Sequence, residues 1–385
     1  LFIWITIHLF FIGLDYPTQL LEYTKSWKKI FIGSVFAVGL GIAIASHLND
    51  SRRLDSYWKI IYFGLMLPML IYFVKLVATS WAPLFGIELS PFIFLSSNYY
   101  HDPFAIHRSG YVFFCLPALA ISLGLIRHAI LEKINSIVVL IPSITIVMTG
   151  LIFYIEGDRL GILFSVFLVG ATFSSIILHK YRDIKFKGLI FLLLPCIVVA
   201  TIGAMSFKSN EQWQSLLSDA KVAVQIEKYQ QWKFEELKSN SYKLEKFDHK
   251  IGESNYVRIA WATVASKLII KYPLGYGMMS LSFGRLCKIV WPESETSWSH
   301  SAWLDFTLGY GILGFIFLAS AAFLSWIHSK SLPNPWGLIG SYGLGTIIIV
   351  LMVKELSSEI FIGAFIFITL FVAGMVVNQE ESFSD

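Results

Sequence analysis

Charge is scarce in this chain. Asp, Glu, Lys and Arg together make up 15% of its 385 residues, against 56% hydrophobic residues, where a soluble domain carries roughly 25% charged residues. The apolar residues arrive in blocks of about twenty, the length that crosses a bilayer hydrocarbon core. That excludes a soluble globular fold and leaves an all-α polytopic membrane protein as the expectation. Cysteine is scarcer still. Cys115, Cys196 and Cys287 are the only three, and Cys287 alone falls in the long polar segment, so no disulfide holds that segment together. Also lacking are an HExxH helix, a paired CxxC, a Walker-type Gly-rich loop and a GxSxG elbow, which removes the motif-borne zinc, nucleotide-phosphate and serine-hydrolase chemistries.

What is present is a series of windows of about 19 apolar residues. They fall at 1–14, 30–46, 58–78, 110–126, 135–153, 160–179, 187–206, 302–327, 335–353 and 359–377. Because the chain opens on Leu1 rather than Met, ten is read as a minimum. Three regions follow: N-terminal transmembrane helices over 1–206, a large polar loop over 207–300, and C-terminal transmembrane helices with a short tail over 301–385. The short loops holding Arg52, Arg53, Lys59, Arg127, Lys133, Lys180, Arg182, Lys185, Lys187 and Lys330 carry ten Lys and Arg against six in the alternate set. The richer set is expected on the cytoplasmic side, which puts the large loop outside.

Within the loop, "EQWQSLLSDAKVAVQIEKYQQWKFEELKSN" spaces Trp213, Leu216, Leu217, Ala220, Val224 and Ile226 as an amphipathic helix, lying on the membrane or packed on the protein. A second helix, "YVRIAWATVASKLIIKY", ends in "PLGYG", a Pro/Gly breaker that leads the chain towards His300.

The six basic residues of the poorer set have a pattern. Lys25, Lys28, Lys29, Arg108 and Arg159 precede or open helices that enter the membrane, and only Lys354 follows an outgoing one. A cation at a helix N-terminus opposes the macrodipole by about 0.3–1 kcal/mol, whereas an anion bound there would be held by free N–H groups and by the guanidinium fork. The plain alternative is snorkelling of these side chains to the interface. His300 stands at the threshold of the next long span, where a ring of reference pKa about 6.5 is suited to act as a base. Asp305 follows about 140° round the helix, placed to bind substrate. Glu156 and Asp158 in "EGDR" are the best pair for a divalent cation, or they anchor the neighbouring Arg159.

Arg159 opening a span, a large loop containing "NYVRIAWATVASKLIIKYPLGYG", then "HSAWLDFTLGYGILG", resembles the membrane glycosyltransferases of the O-antigen ligase and polymerase superfamily. A weaker echo is Glu359 in "SSEIF". The likeness covers about Asp158 to Phe315 and departs from the family pattern at Asp158-Arg159-Leu160-Gly161, at Ser301 where Asn is usual, and in the shortened "PLGYG". It implies a bacterial inner-membrane enzyme with at least ten transmembrane helices and a mainly helical periplasmic loop, acting by inversion without a metal or other cofactor. By the resemblance His300 and Arg159 would be catalytic and Arg258 would bind the pyrophosphate, with Glu359 a weaker substrate contact; Arg108 and Lys28, by their places at helix starts, and Asp305, by its place beside His300, are expected to bind substrate as well. The donor would be an undecaprenyl-pyrophosphate-linked glycan and the acceptor the lipid A core of lipopolysaccharide, in contact with membrane lipids and no nucleic acid. A polymerase extending a lipid-linked glycan, and a transporter of an anionic lipid-linked substrate, are the alternatives.

Overall fold

The computed structural model describes residues 1–47, 51–90, 93, 108–132, 139–180, 216–234, 253–354 and 359–381, which are helical with no strand among them. In chain order the α-helices are α1 Phe2–Phe11, α2 Tyr16–Glu22, α3 Lys28–Ala45, α4 Ser51–Trp81, α5 Arg108–Leu131, α6 Leu140–Ile155, α7 Arg159–Lys180, α8 Leu216–Ala223, α9 Glu253–Lys271, α10 Ser282–Val290, α11 Ala302–His328, α12 Gly345–Val350 and α13 Glu359–Glu381. Among the described residues six helical runs are long and apolar enough to cross a membrane: Tyr16–Ala45, Asp55–Phe85, Gly110–Leu131, Arg159–Leu178, Ala302–Ser331 and Ile360–Val377. The protein is therefore a helical membrane protein.

Three expected windows give shorter apolar helices, Phe2–Phe11, Leu140–Ile155 and Ile339–Val350. At about 1.5 Å per residue, the ten residues of α1 reach only about half of a hydrocarbon core. The third begins as a π-turn over Ile339–Leu344. The window at 187–206 lies outside the described residues.

The chain forms two compact units. One comprises Ile44–Ala204 and Ser329–Ile347. In it α6 and α7 make a tight hairpin: Gly157 takes a left-handed φ of 61°, and Asp158 caps α7 by accepting from the Gly161 N–H at 3.1 Å. Gly161 lies against the Phe153 ring so closely that a Cβ would stand 2.6 Å from it. Inside this unit the Tyr62 hydroxyl meets Ser122 at 2.6 Å and Thr145 at 3.0 Å, so buried polar groups are paired as lipid surroundings require.

The other unit comprises Leu1–Ala43, Met205–His328 and Ile348–Asp385. The described part of the large loop carries its own apolar core of Trp232, Tyr256, Trp261, Leu268, Phe283 and Cys287. The expected amphipathic helix is shorter than its sequence pattern: only Leu216–Ala223 is α-helical among its described residues. Of the apolar stripe, Leu216, Leu217 and Val224 are exposed and Ile226 is buried, and the face of the helix that packs runs through Asp219 and Ala223 instead; Trp213 lies outside the described residues. Lys233, 5% exposed, pairs with Glu293 and holds its carboxyl below the usual range. Burial pushes the Cys287 thiol up to about 12.

The loop rejoins the membrane region at an interrupted helix. Gly311, within α11, has φ 72° and ψ 179°, so the ladder of N–H to C=O bonds breaks there. The lost partners are replaced by Leu274-Gly275-Tyr276-Gly277, the same tetrapeptide as Leu308-Gly309-Tyr310-Gly311. Tyr276 N–H donates to the Leu308 carbonyl at 2.8 Å, Gly277 N–H to Gly309 at 2.6 Å, and Ile312 N–H to Pro273 at 2.9 Å. The Trp4 indole donates to the Tyr310 carbonyl at 2.7 Å. Backbones can approach this closely because the glycines have no Cβ. One on Gly275 would meet Gly309 O at 2.6 Å, and one on Gly309 would overlap the Met278 carbonyl.

Gly309→Ala is expected to cost about 1–3 kcal/mol or more through overpacking. Gly39→Ala, with nothing within 4 Å, should be neutral or slightly stabilising; thermal melts monitored by size-exclusion chromatography in detergent compare the two. Cys287 should resist maleimide at neutral pH in the folded protein and react after denaturation in SDS, which mass spectrometry of labelled peptides reads directly.

Candidate functional site

His300 sits in the turn that opens α11, and its backbone is left-handed, with φ 58°. A residue with a Cβ pays roughly 1–2 kcal/mol for that conformation, so the surroundings must hold it. Three contacts do. The imidazole stacks on the Trp261 ring with centroids 5.0 Å apart and planes 18° apart. Trp261, itself buried, is oriented by its indole N–H donating to the Trp232 carbonyl at 2.7 Å. Asp305, 3% exposed, reaches back from the first turns of α11 to accept from the Ser299 N–H at 3.0 Å. The turn is closed further by the Ser299 hydroxyl donating to the Ser301 carbonyl at 3.1 Å.

Neighbouring chain segments bring cations and apolar surface to this turn. Arg258 lies on α9, one turn before Trp261, with an exposed side chain. The Ala302 N–H donates to the Lys354 carbonyl at 2.7 Å, which draws the end of an outgoing helix to the start of α11; the Lys354 ammonium lies 5.1 Å from the centroid of the Phe361 ring. From Ser301 an apolar groove of about 520 Å³ runs along α11, lined among others by Trp303, Leu304, Phe315, Phe323 and Met352. The Trp303 indole donates to the Ile348 carbonyl at 3.0 Å, fixing one wall. The groove is apolar along its length and begins at the residue that follows His300.

Within this unit the structure puts Asp305 on the His300 turn and Trp261 on the His300 ring, with Arg258 one helical turn before Trp261. Asp305 is not aimed at a ligand through the oxygen that accepts from Ser299; it shapes the His300 turn. Arg159, half-buried, opens α7 in the other unit. Arg108 opens α5 in that same unit and Glu359 opens α13, and both side chains lie outside the described residues. The lysine reading needs correction. Lys25, Lys28 and Lys29 are not at a helix N-terminus, because Tyr16–Ala45 is one continuous helical run passing through a π-turn at Tyr23–Trp27. Their backbone N–H groups lie within that run, so the macrodipole argument does not apply to them.

The carboxylate pair in "EGDR" is also committed elsewhere. Asp158 caps α7, while Glu156 accepts from the Tyr72 hydroxyl at 2.8 Å. No group of three His, Cys, Asp or Glu side chains suited to a metal occurs among the described residues.

Two residues escaped the sequence reading. Trp261 carries no motif beyond its place three residues after Arg258 in "RIAWA". Glu22 carries no motif, and its carboxylate accepts from Met279 N–H at 2.5 Å, Ser280 N–H at 3.1 Å, the Ser280 hydroxyl at 2.9 Å and the Tyr310 hydroxyl at 3.1 Å. It clamps the loop exit to the helix break. From there α10 leads on, and its Gly284 N–H donates to the Ser297 carbonyl at 3.2 Å, three residues from His300.

No family model matches the chain, and no curated protein or solved structure matches it either.

The left-handed backbone at His300 has a measurable consequence. His300→Gly and His300→Ala both lose the stack, but only the alanine keeps the Cβ clash. The glycine variant is expected to be the more stable by about 1 kcal/mol, read as a higher melting temperature; equal melting would mean that the turn is not left-handed in the membrane protein.

Proposed function

We propose that this chain is a membrane glycosyltransferase of the O-antigen ligase type, moving a glycan from undecaprenyl pyrophosphate to the lipid A core of lipopolysaccharide at the periplasmic face of the bacterial inner membrane. The observation that carries the reading is His300, held left-handed and stacked on Trp261, which itself lies one helical turn after Arg258, with an apolar groove beginning at the next residue, Ser301. Strained backbone at a polar residue is a mark of functional sites.

The chemistry follows from those groups. A neutral His300 takes the proton of an acceptor hydroxyl as its oxygen attacks the anomeric carbon. The bond from that carbon to the pyrophosphate oxygen breaks, and the electron pair leaves with the pyrophosphate. Arg258 from the loop helix would meet the charge that grows on the leaving group; the donor-binding role of Arg159 and Arg108 rests on the sequence resemblance and on their places at helix starts. A single displacement inverts the anomeric centre. Asp305 serves as a positioning residue through the Ser299 N–H, Glu359 is kept as an acceptor contact, and the groove takes the donor's lipid chain. Lys28 is left out of the donor site, since its place in a continuous helix removes the reason for assigning it there.

The polymerase reading uses the same residues and differs only in the acceptor. Transport has one observation in its favour, the interrupted helix α11, since transporters bind at broken helices. At this break, however, the carbonyls of Leu308, Gly309 and Tyr310 are already taken by Tyr276, Gly277 and Trp4, which fits a structural joint better than a binding site.

The test is transfer in detergent from an undecaprenyl-pyrophosphate glycan to purified lipid A core. His300→Ala is expected to lower the rate by about 10²–10⁴-fold, the usual worth of a general base, and Arg258→Lys and Arg159→Lys to weaken donor use while the protein stays folded. Longer lipid-linked glycan formed from the donor alone would transfer the assignment to a polymerase. Movement of intact donor between leaflets of liposomes, with no covalent change, would assign transport.

A further inference from the structure

A second apolar groove, again about 520 Å³, lies between α1 and the start of the Tyr16–Ala45 run, lined by Phe2, Ile3, Ile7, Trp27, Lys28 and Phe31 among others. Ile3, Ile7 and Phe31 are exposed, which in a membrane means contact with lipid. The π-turn Tyr23–Trp27 forms one side of it, and such turns are rare and concentrated at functional sites. Trp27 closes the floor, its indole donating to the Tyr310 hydroxyl.

The polar groups along the groove show which headgroup it suits. The Thr6 hydroxyl donates to the Phe2 carbonyl at 2.9 Å, so in its 2.9 Å contact with Tyr23 it is the tyrosine that donates. Thr24 donates to the carbonyls of Leu20 and Leu21 at 2.9 and 3.1 Å. Every hydroxyl proton is thus committed. Lys28, exposed, has no hydrogen bond or ion pair among the described residues and supplies the one uncommitted side-chain donor in a mainly apolar groove. A sugar or other neutral polar headgroup would find no set of donors here, while a single phosphodiester bearing acyl chains would find both an apolar bed and one cation.

We infer that this groove binds an anionic glycerophospholipid of the surrounding membrane, with its phosphate on Lys28 and an acyl chain along Phe2, Ile3, Ile7 and Phe31. One cation matches one phosphodiester charge, whereas a pyrophosphate donor carries more charge than Lys28 alone answers. The site shares no lining residue with the groove that opens at Ser301, and the inference is independent of what His300 does.

The test uses the full chain in nanodiscs of mixed phosphatidylglycerol and phosphatidylcholine, followed by native mass spectrometry of the lipids it retains. The unmodified chain is expected to retain phosphatidylglycerol in preference to phosphatidylcholine. Lys28→Gln should reduce that preference about fivefold, the worth of one Lys at an anionic surface, and Ile3→Trp, which fills the groove from an exposed position, should reduce retention of both lipids. Equal retention of the two lipids by the unmodified chain, or a preference unchanged in Lys28→Gln, overturns the assignment. So does displacement of bound phosphatidylglycerol by undecaprenyl phosphate at equal concentration, which would make the groove a donor site.

Discussion

Everything near His300 depends on how one interrupted helix recovers its hydrogen bonds. A transmembrane helix can break only where other groups satisfy the backbone it frees, because hydrocarbon offers no partner. In α11 the break at Gly311 is satisfied from two directions: the loop exit at Pro273–Gly277 meets Leu308, Gly309 and Ile312, and the N-terminal segment supplies Trp4. Glu22 then ties that exit to the Tyr310 hydroxyl. The large loop, the first helices and the eighth expected span are fastened at one joint, and the glycines there are required by distance as well as by conformation.

The joint bears on the site because both lie on the same helix and the same loop. α11 begins two residues after His300, and α10, reached directly from the segment that Glu22 holds, bonds to the chain just before it. His300 is thereby held from the membrane side by Asp305 and from the loop side by Trp261. The left-handed backbone costs energy that the stack and the Asp305 to Ser299 bond offset.

The cations differ in how local the signal is that sets their place. Arg159 does open a helix, after an Asp cap and a left-handed glycine, and the spacing in "YIEGDRLG" carried that much. For Lys25, Lys28 and Lys29 the hydropathy window began at 30, so the lysines were read as lying before the helix. In fact the run begins at Tyr16 and winds through a π-turn, and no propensity or hydropathy signal marks where such a turn inserts its extra residue. Asp305 was readable as close to the site but not as bonded back to Ser299, because helical angle describes direction on a straight helix and the preceding turn curls over it.

Composition alone determined that this protein is helical and membrane-embedded: with 56% hydrophobic residues in runs of about twenty, closed backbone hydrogen bonding leaves few other solutions. The six long apolar runs, and the helix that starts at Arg159, were legible for the same reason, since hydropathy and capping act locally along the chain. Only the tertiary structure decided that Trp261 stacks on His300, that Glu22 clamps the loop exit, and that two LGYG segments pair across a broken helix. Those contacts join residues up to some 290 positions apart, and their energy comes from close packing and hydrogen-bond geometry, which exist only once the distant segments have met.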